Sequence, residues 1–197
     1  MVVKRTPDHP KESLRSKMKE TLSLCSRDFL LGKSERVYYH LKNILDDHNI
    51  RHRLTFPKSI VVGVYAPIAG EVTFASLEND FVCAYPSFDN QKSEMVFRES
   101  KLSELVESRE FGVVLKTPPQ SSPCIKPDVI LIPGLAFSKK GERLGRGKGF
   151  YDRYLQQYGG LKIGVCFSEQ LVDHVPVEKH DQIMKYVVCD QGVFTNE

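Results

Sequence analysis

The sequence predicts an α/β fold with a mostly parallel sheet covered on both faces. Three observations carry this prediction. Segments with helical spacing of apolar residues alternate with short runs rich in β-branched residues. Those runs are apolar along their length, as in SIVVGVY over residues 59–65, which suits strands buried on two sides. A strand, a glycine-rich loop and a helix then follow one another between Leu131 and Tyr154. In α/β sheets, ligands bind beyond the carboxyl ends of strands, where such a loop lies.

In chain order, residues 1–9 are expected to be a loose tail. Leu14, Met18, Leu22, Cys25 and Phe29 then predict a helix from Lys11 to about Leu31, with Lys11, Arg15 and Lys19 on one face. A second helix is predicted from Ser34, as its cap, to Asp47, turning Val37, Leu41, Ile44 and Leu45 inward. This helical pair, residues 11–49, is expected to pack on the α/β body. The strand at 59–65 ends at the breaker Pro67, with Gly70 close behind, and a short helix is expected near Thr73–Asn79. Further strands are predicted at Phe81–Tyr85, Met95–Arg98, Gly112–Leu115, Val129–Ile132, Lys162–Phe167 and Tyr186–Cys189. Residues 117–127, with four prolines, read as a loop. An amphipathic helix is expected to start near Gly149.

Bulk properties narrow the class. A chain of 197 residues suggests a single domain over 1–197, long enough to fold without a metal or disulfide. The net charge of +3 is mild, so composition does not point to nucleic acid. The five cysteines are odd in number, widely spaced and contain no C-x-x-C pair, which argues against zinc and thioredoxin-type chemistry. They suit a reducing compartment. No apolar run approaches the ~20 residues of a membrane span. Without a signal-type apolar stretch near residue 1, a cytoplasmic location is expected.

The glycine-rich segment concentrates the chemistry. Five of the 13 glycines (Gly134, Gly141, Gly145, Gly147 and Gly149) fall within it, interleaved with Lys139, Lys140, Arg143, Arg146 and Lys148. Glycine backbone can turn several N–H groups toward one point, a helix N-terminus adds more, and the cations supply opposite charge. This reads as a cradle for nucleotide phosphates, with a solvated basic loop as the bland alternative. A Walker A loop is excluded, because Glu142 and Gly149 stand where that motif needs Gly and Ser or Thr. Asp152, in the first turn of the outgoing helix, either complements the helix dipole or holds Mg²⁺ beside phosphates. Asp181 is a similar candidate. Taken alone, Lys11 and Arg15 read as a charged helix face, and Glu71 as a turn residue or a buried ligand acceptor.

The segment PGLAFSKKGERLGRGKGFYDRYL (133–155) resembles the signature of the 5-formyltetrahydrofolate cyclo-ligase family, also called methenyltetrahydrofolate synthetases. Agreement continues in order along nearly the whole chain. It includes K-x-x-x-R at Lys11 and Arg15, Y-x-P-x-x-G-E-V from Tyr65 to Val72, Tyr85-Pro86, Met95 and His180-Asp181. The resemblance implies a three-layer α/β/α sandwich with a Rossmann-like mixed sheet. It implies cyclisation of 5-formyltetrahydrofolate, possibly polyglutamylated, to 5,10-methenyltetrahydrofolate, with ATP and Mg²⁺ used and ADP and phosphate released. Carried over residue by residue, Lys11, Arg15 and the run Arg143, Leu144, Gly145, Arg146, Gly147, Lys148, Gly149, Phe150 and Tyr151 would bind ATP. Arg146 and Lys148 would act in catalysis, and Asp152 and Asp181 would bind Mg²⁺. Glu71 would hydrogen-bond the folate pterin, while Tyr65, Phe150 and Tyr151 would wall the substrate. A monomer with no nucleic-acid or membrane partner is expected. Phe150 stands where the family often has tyrosine, Thr73 comes one place early after Glu71, and Lys116-Thr117-Pro118 replaces a usual Glu-Pro pair. Two alternatives stay open from the residues: an ATP-dependent enzyme activating another amide or carboxylate, and a nucleotide- or RNA-binding module without turnover. Carboxylates beside the cradle count against the second.

Overall fold

The computed structural model describes residues 10–47, 60–74, 76–89, 94–110 and 113–196. The expected tail at 1–9, residue 59 of the first expected strand and Gly112 lie outside them.

Helix α1 spans Pro10–Ser23 and helix α2 spans Arg27–Asp46. The break therefore falls eight residues before the predicted cap at Ser34. The cap is Ser26, whose extended backbone lets its side chain accept from the Phe29 N–H at 3.3 Å. Ser34 lies inside α2, where its hydroxyl donates to the Leu30 carbonyl at 2.9 Å. The inward face of α2 is as expected, with Val37, Leu41, Ile44 and Leu45 buried.

The main sheet has seven strands in the order β12-β11-β9-β6-β1-β2-β3. These are β1 Val61–Gly63, β2 Val82–Asp89, β3 Glu94–Glu99, β6 Val129–Pro133, β9 Leu161–Val165, β11 Tyr186–Cys189 and β12 Gly192–Thr195. The central five, from β11 to β2, are parallel, while β12 and β3 close the two edges antiparallel. Each parallel strand splits its side chains between two cores. Val62, Leu131 and Val165 pack toward α2, whereas Ile130, Ile132 and Val187 pack on the other face with Leu155 and Tyr158. That two-sided burial is why the strands read as unbroken apolar runs.

Two smaller sheets complete the molecule. Strands β4 (Val106–Glu110) and β5 (Val113–Thr117) form a separate hairpin, and helix α3 is only Leu77–Asp80. The first half of the glycine-rich segment is not loop but ribbon: β7 (Ala136–Ser138) pairs antiparallel with β8 (Arg143–Leu144), and β10 (Leu171–Val172) pairs with β7. A third apolar cluster of Met18, Leu135, Leu144 and Val175 seats α1 on this ribbon. Helix α4 spans Phe150–Gln156, starting where a helix was expected. The strand order reverses between β1 and β6, since the chain moves from β1 outward to β2 but from β6 outward to β9. A crevice opens at such a switch point. No helix among the described residues is long and apolar enough to cross a membrane.

Candidate active site

The two segments that leave the switch point carry the site. Beyond β1 the chain passes Pro67 and turns at Gly70, whose φ of 82° is left-handed, and the Glu71 N–H donates to the Ile68 carbonyl at 3.1 Å. The Glu71 side chain folds back so that the Ile68 N–H donates to Oε2 at 3.2 Å. Beyond β6 the chain makes the β7–β8 ribbon and enters Gly145–Gly149. From this loop Arg146 reaches across the crevice: its Nε and Nη2 donate to Glu71 Oε1 at 3.2 and 2.9 Å. The Glu71 side chain is only 8% exposed against 39% for Arg146. Burial pushes the Glu71 carboxyl above its usual range, with Arg146 pulling the other way.

Beside this pair lies a cleft of about 710 Å³, between the Pro67–Thr73 turn and the facing ends of α1 and α2. Leu22, Leu30 and Ile68 line it with apolar surface, while Glu71, Arg146, Lys19 and Arg27 add charge. A flat, partly polar ligand suits such a cavity. Lys19 had been placed only on a helix face by its spacing, and Arg27 had not been singled out. Neither residue carries a motif, and both lie beside the α1–α2 break, where Ser26 caps α2.

Of the expected phosphate-binding groups, Arg15, Arg146 and Lys148 lie on or against Gly145–Gly149. Arg15 Nε donates to the Gly145 carbonyl at 3.1 Å, and its guanidinium carbon stands 3.6 Å from where a Gly147 Cβ would be. Gly147 (φ 94°) and Gly149 (φ 67°) are both left-handed, with Gly149 capping α4. Lys148 is exposed on the same loop. Lys11 is not an exposed member of a charged face but a buried ammonium, 2.6 Å from Asp181 Oδ2 and 2.9 Å from Glu178 Oε1. Burial opposes ionisation of Asp181, but the hydrogen bonds from Lys11 and the Glu178 N–H, with the charges of Lys11 and His180, together outweigh it and hold the carboxyl below its usual range. Glu178 was not anticipated; it joins Asp181 through the turn in which the Asp181 N–H donates to its carbonyl at 3.0 Å.

The other expected residues sit deeper. Arg143 is turned inward, donating to Asp152 Oδ1 at 2.6 Å and to the Pro133 carbonyl at 3.1 Å, with its guanidinium 5.7 Å from the Tyr151 ring centroid. Its buried Nε has no hydrogen-bond partner. Leu144 belongs to the cluster beneath α1. Phe150 packs edge-on against Phe88 at 4.8 Å, and the Arg153 guanidinium lies over the Phe150 ring at 5.3 Å. Tyr65 is buried, donates its hydroxyl proton to the Val72 carbonyl at 3.2 Å and packs on Phe74. Tyr65, Phe150 and Tyr151 therefore pack against protein, outside the lining of the cleft.

Fit to a metal is a matter of free oxygens. Among the described residues no group of three or more His, Cys, Asp or Glu side chains converges as a metal cage. Mg²⁺ beside a nucleotide does not need one, being held by one or two carboxylates together with phosphate and water. Asp152 uses Oδ1 for Arg143, while Asp181 uses Oδ2 for Lys11 and for the Glu178 N–H and has His180 Nε2 3.9 Å from its Oδ1. Single carboxylates of this kind suit an Mg²⁺ held mainly by phosphate and water.

A model of the 5-formyltetrahydrofolate cyclo-ligase family matches residues 8–190, spanning both arms of the crevice. The chain belongs to the 5-formyltetrahydrofolate cyclo-ligase family. Among curated cyclo-ligases it is 42% identical to the one from Saccharomyces cerevisiae over 73 residues, 33% of this chain and 35% of that one. It is 41% identical to the one from Mycolicibacterium smegmatis over 83 residues, 40% of this chain and 43% of the relative. The matched stretch thus spans well under half the length of these curated relatives. Among solved structures, Aquifex aeolicus 5,10-methenyltetrahydrofolate synthetase superposes with a TM-score of 0.76 at 26% identity, covering 96% of this chain and 94% of that one. The synthetase from Mycoplasma pneumoniae, at 24% identity and a TM-score of 0.69, covers 92% and 99% and supports the fold. The cyclo-ligase family's α/β/α sandwich is the fold seen here.

Proposed function

We propose that the protein converts 5-formyltetrahydrofolate to 5,10-methenyltetrahydrofolate using MgATP, with release of ADP and phosphate. The observation that carries this reading is the meeting of Glu71 and Arg146 across the switch point. A buried acceptor suited to a pterin and a loop cation suited to a phosphate stand within hydrogen-bonding distance. The reaction requires both in one place. A formamide carbonyl is a poor electrophile with a poor leaving group, so its oxygen is first phosphorylated. N10 of the same folate then attacks the formyl carbon, and phosphate departs as the ring closes.

In this reading Lys11, Arg15 and the Gly145–Tyr151 run hold the nucleotide, chiefly through backbone N–H groups and cations. Arg146 and Lys148, exposed and on the most glycine-rich part of the loop, stabilise charge on the transferring phosphoryl group. Mg²⁺ would neutralise charge on the triphosphate, and Asp152, through the oxygen not taken by Arg143, and Asp181 are the carboxylates that would hold it. Arg143 fixes the opposite oxygen of Asp152, so it acts from behind the site. Glu71 accepts from the donor edge of the pterin, with Leu22, Leu30 and Ile68 against the ring system. Holding N10 against the activated carbon is worth ~7–11 kcal/mol when orientation is good. Lys19 and Arg27 are the cations of the cleft suited to the carboxylates of the glutamyl tail. The same reading takes the chain as one domain, acting as a monomer in the cytoplasm.

The test is an absorbance assay of the purified protein with 5-formyltetrahydrofolate, ATP and Mg²⁺, following the methenyl product in the near ultraviolet. Product that depends on both ATP and Mg²⁺ is the expected result. Folded protein that binds ATP but forms none would turn the reading to another acceptor.

A further inference from the structure

While its Nε and Nη2 are engaged by Glu71, Arg146 cannot offer that paired edge to a phosphate. In the present structure its guanidinium gives two donors, Nε and Nη2, to the same Oε1 of Glu71, the oxygen that faces the loop. We infer that the Arg146–Glu71 ion pair is a latch that couples the folate and nucleotide sites, so that each substrate binds more tightly when the other is present. The inference rests on the roles proposed above for these two residues.

The two partners differ in freedom. Glu71 is fixed by the Ile68 N–H on its other oxygen and is nearly sealed from solvent. Arg146 is exposed and flanked by Gly145 and by the left-handed Gly147, so its side chain can leave while the carboxylate stays. A folate whose N–H groups take over Glu71 Oε1 replaces the donors that Arg146 supplied. The arginine is then released toward the loop's phosphate site without leaving a bare carboxylate.

MgATP arriving alone gains that edge only by drawing Arg146 off Glu71, stranding a carboxylate that is 8% exposed and whose charge burial already disfavours. Folate arriving alone must displace a charged donor pair and leaves the cation without its counter-ion. When both bind, each supplies what the other removed. A contact made only in the empty state and broken by either ligand gives positive coupling, and linkage makes that coupling equal in both directions.

The test uses calorimetric binding of a non-hydrolysable ATP analogue with Mg²⁺, with and without saturating 5-formyltetrahydrofolate. Wild type is expected to bind the analogue at least about fivefold more tightly when folate is present, the lower end of ordinary coupling. Glu71→Gln, which holds Arg146 only through a neutral amide, is expected to bind the analogue alone more tightly than wild type and to lose most of the gain from folate. Arg146→Ala is expected to bind folate alone at least as tightly as wild type, because nothing has to be displaced. Wild-type affinity for the analogue that ignores folate, or a Glu71→Gln affinity unchanged in the absence of folate, would overturn the latch. Arg146→Ala protein that binds the analogue as wild type does would instead overturn the phosphate role of Arg146, and the latch with it.

Discussion

Glu71 is held in a state that favours binding over stability. Its carboxylate is buried, its proton affinity is raised by that burial, and Arg146 offsets only part of the cost. A carboxyl whose folded pKa lies above its unfolded value binds its proton more tightly in the folded state. Its contribution to stability is therefore largest at low pH and is lost as pH rises through the folded value. Glu71→Gln removes that cost at neutral pH, so its melting temperature should equal or exceed that of wild type. Its folate KM should rise roughly tenfold or more, the scale of a lost charged hydrogen bond. Thermal melts and initial rates on one preparation check both, and a melting temperature well below wild type would contradict the account. Arg146→Ala should lower kcat by about 10³ or more, as for other arginines on transferring phosphoryl groups, and should also lower the melting temperature, because it leaves the buried Glu71 carboxylate without its cation. Stopped-time product assays decide it. Both residues were visible in the sequence as motif positions. Their mutual contact was not, because 75 residues separate them and nothing local marks the pairing.

At the scale of elements, the glycine-rich segment divides into two parts that sequence reading merged. Gly141 turns the β7–β8 ribbon, and a side chain there would collide with the Met184 carbonyl in a left-handed conformation. Gly147 is also left-handed, yet a Cβ there meets only the Arg15 guanidinium at ordinary contact distance. Gly141→Ala is thus expected to destabilise the whole fold, by more than the ~1–3 kcal/mol of backbone strain alone. Gly147→Ala should carry at most that strain, confined to the loop, and act mainly by raising the KM for MgATP. Denaturant midpoints and ATP saturation curves on the two variants separate these roles. Equal loss of stability in both would mean that the segment is one structural unit. The ribbon escaped sequence reading because β8 is two residues long and lies among cations and glycines. The helix break escaped for a related reason. Ser26 and Ser34 are equally good caps by residue type, and only the partner each side chain finds, a free N–H or a carbonyl one turn back, tells them apart. The parallel strands β6, β9 and β11 were legible because burial on both faces writes an unbroken apolar run.

Across the whole molecule, the N-terminal helices are clamped to the sheet by buried charges from distant parts of the chain. Lys33 of α2 reaches Glu169 at 2.5 Å, Ser168 at 2.7 Å and Asp190 at 3.1 Å, so it ties α2 to the segments following β9 and β11. Lys11 does the same for α1 through Asp181 and Glu178. Burial opposes ionisation of Asp190, but the Ser168 N–H and Lys33 outweigh it and hold the carboxyl below its usual range. Such a group stabilises the fold above the ordinary carboxylate pKa of about 4 and stops doing so as pH falls through its lower folded value. Lys33 has the opposite sign: burial works against its charge, but Glu169 and Asp190 raise it above its usual range. Its contribution is complete below about pH 10 and is lost as pH rises through the folded value. The clamp is therefore intact between about pH 4 and pH 10. Lys33→Met leaves the Asp190 side chain, 5% exposed, without its cation, and removal of one member of a buried pair typically costs about 3–5 kcal/mol. The variant should melt far below wild type at neutral pH. It should also lose less on acidification, because Asp190 loses the part of its pKa depression that Lys33 supplies and its protonation then relieves an unpaired charge. Melting curves from about pH 3 to about pH 7 measure both effects. A variant whose melting temperature runs parallel to wild type over that range would show that Asp190 draws its low pKa from the Ser168 N–H rather than from Lys33.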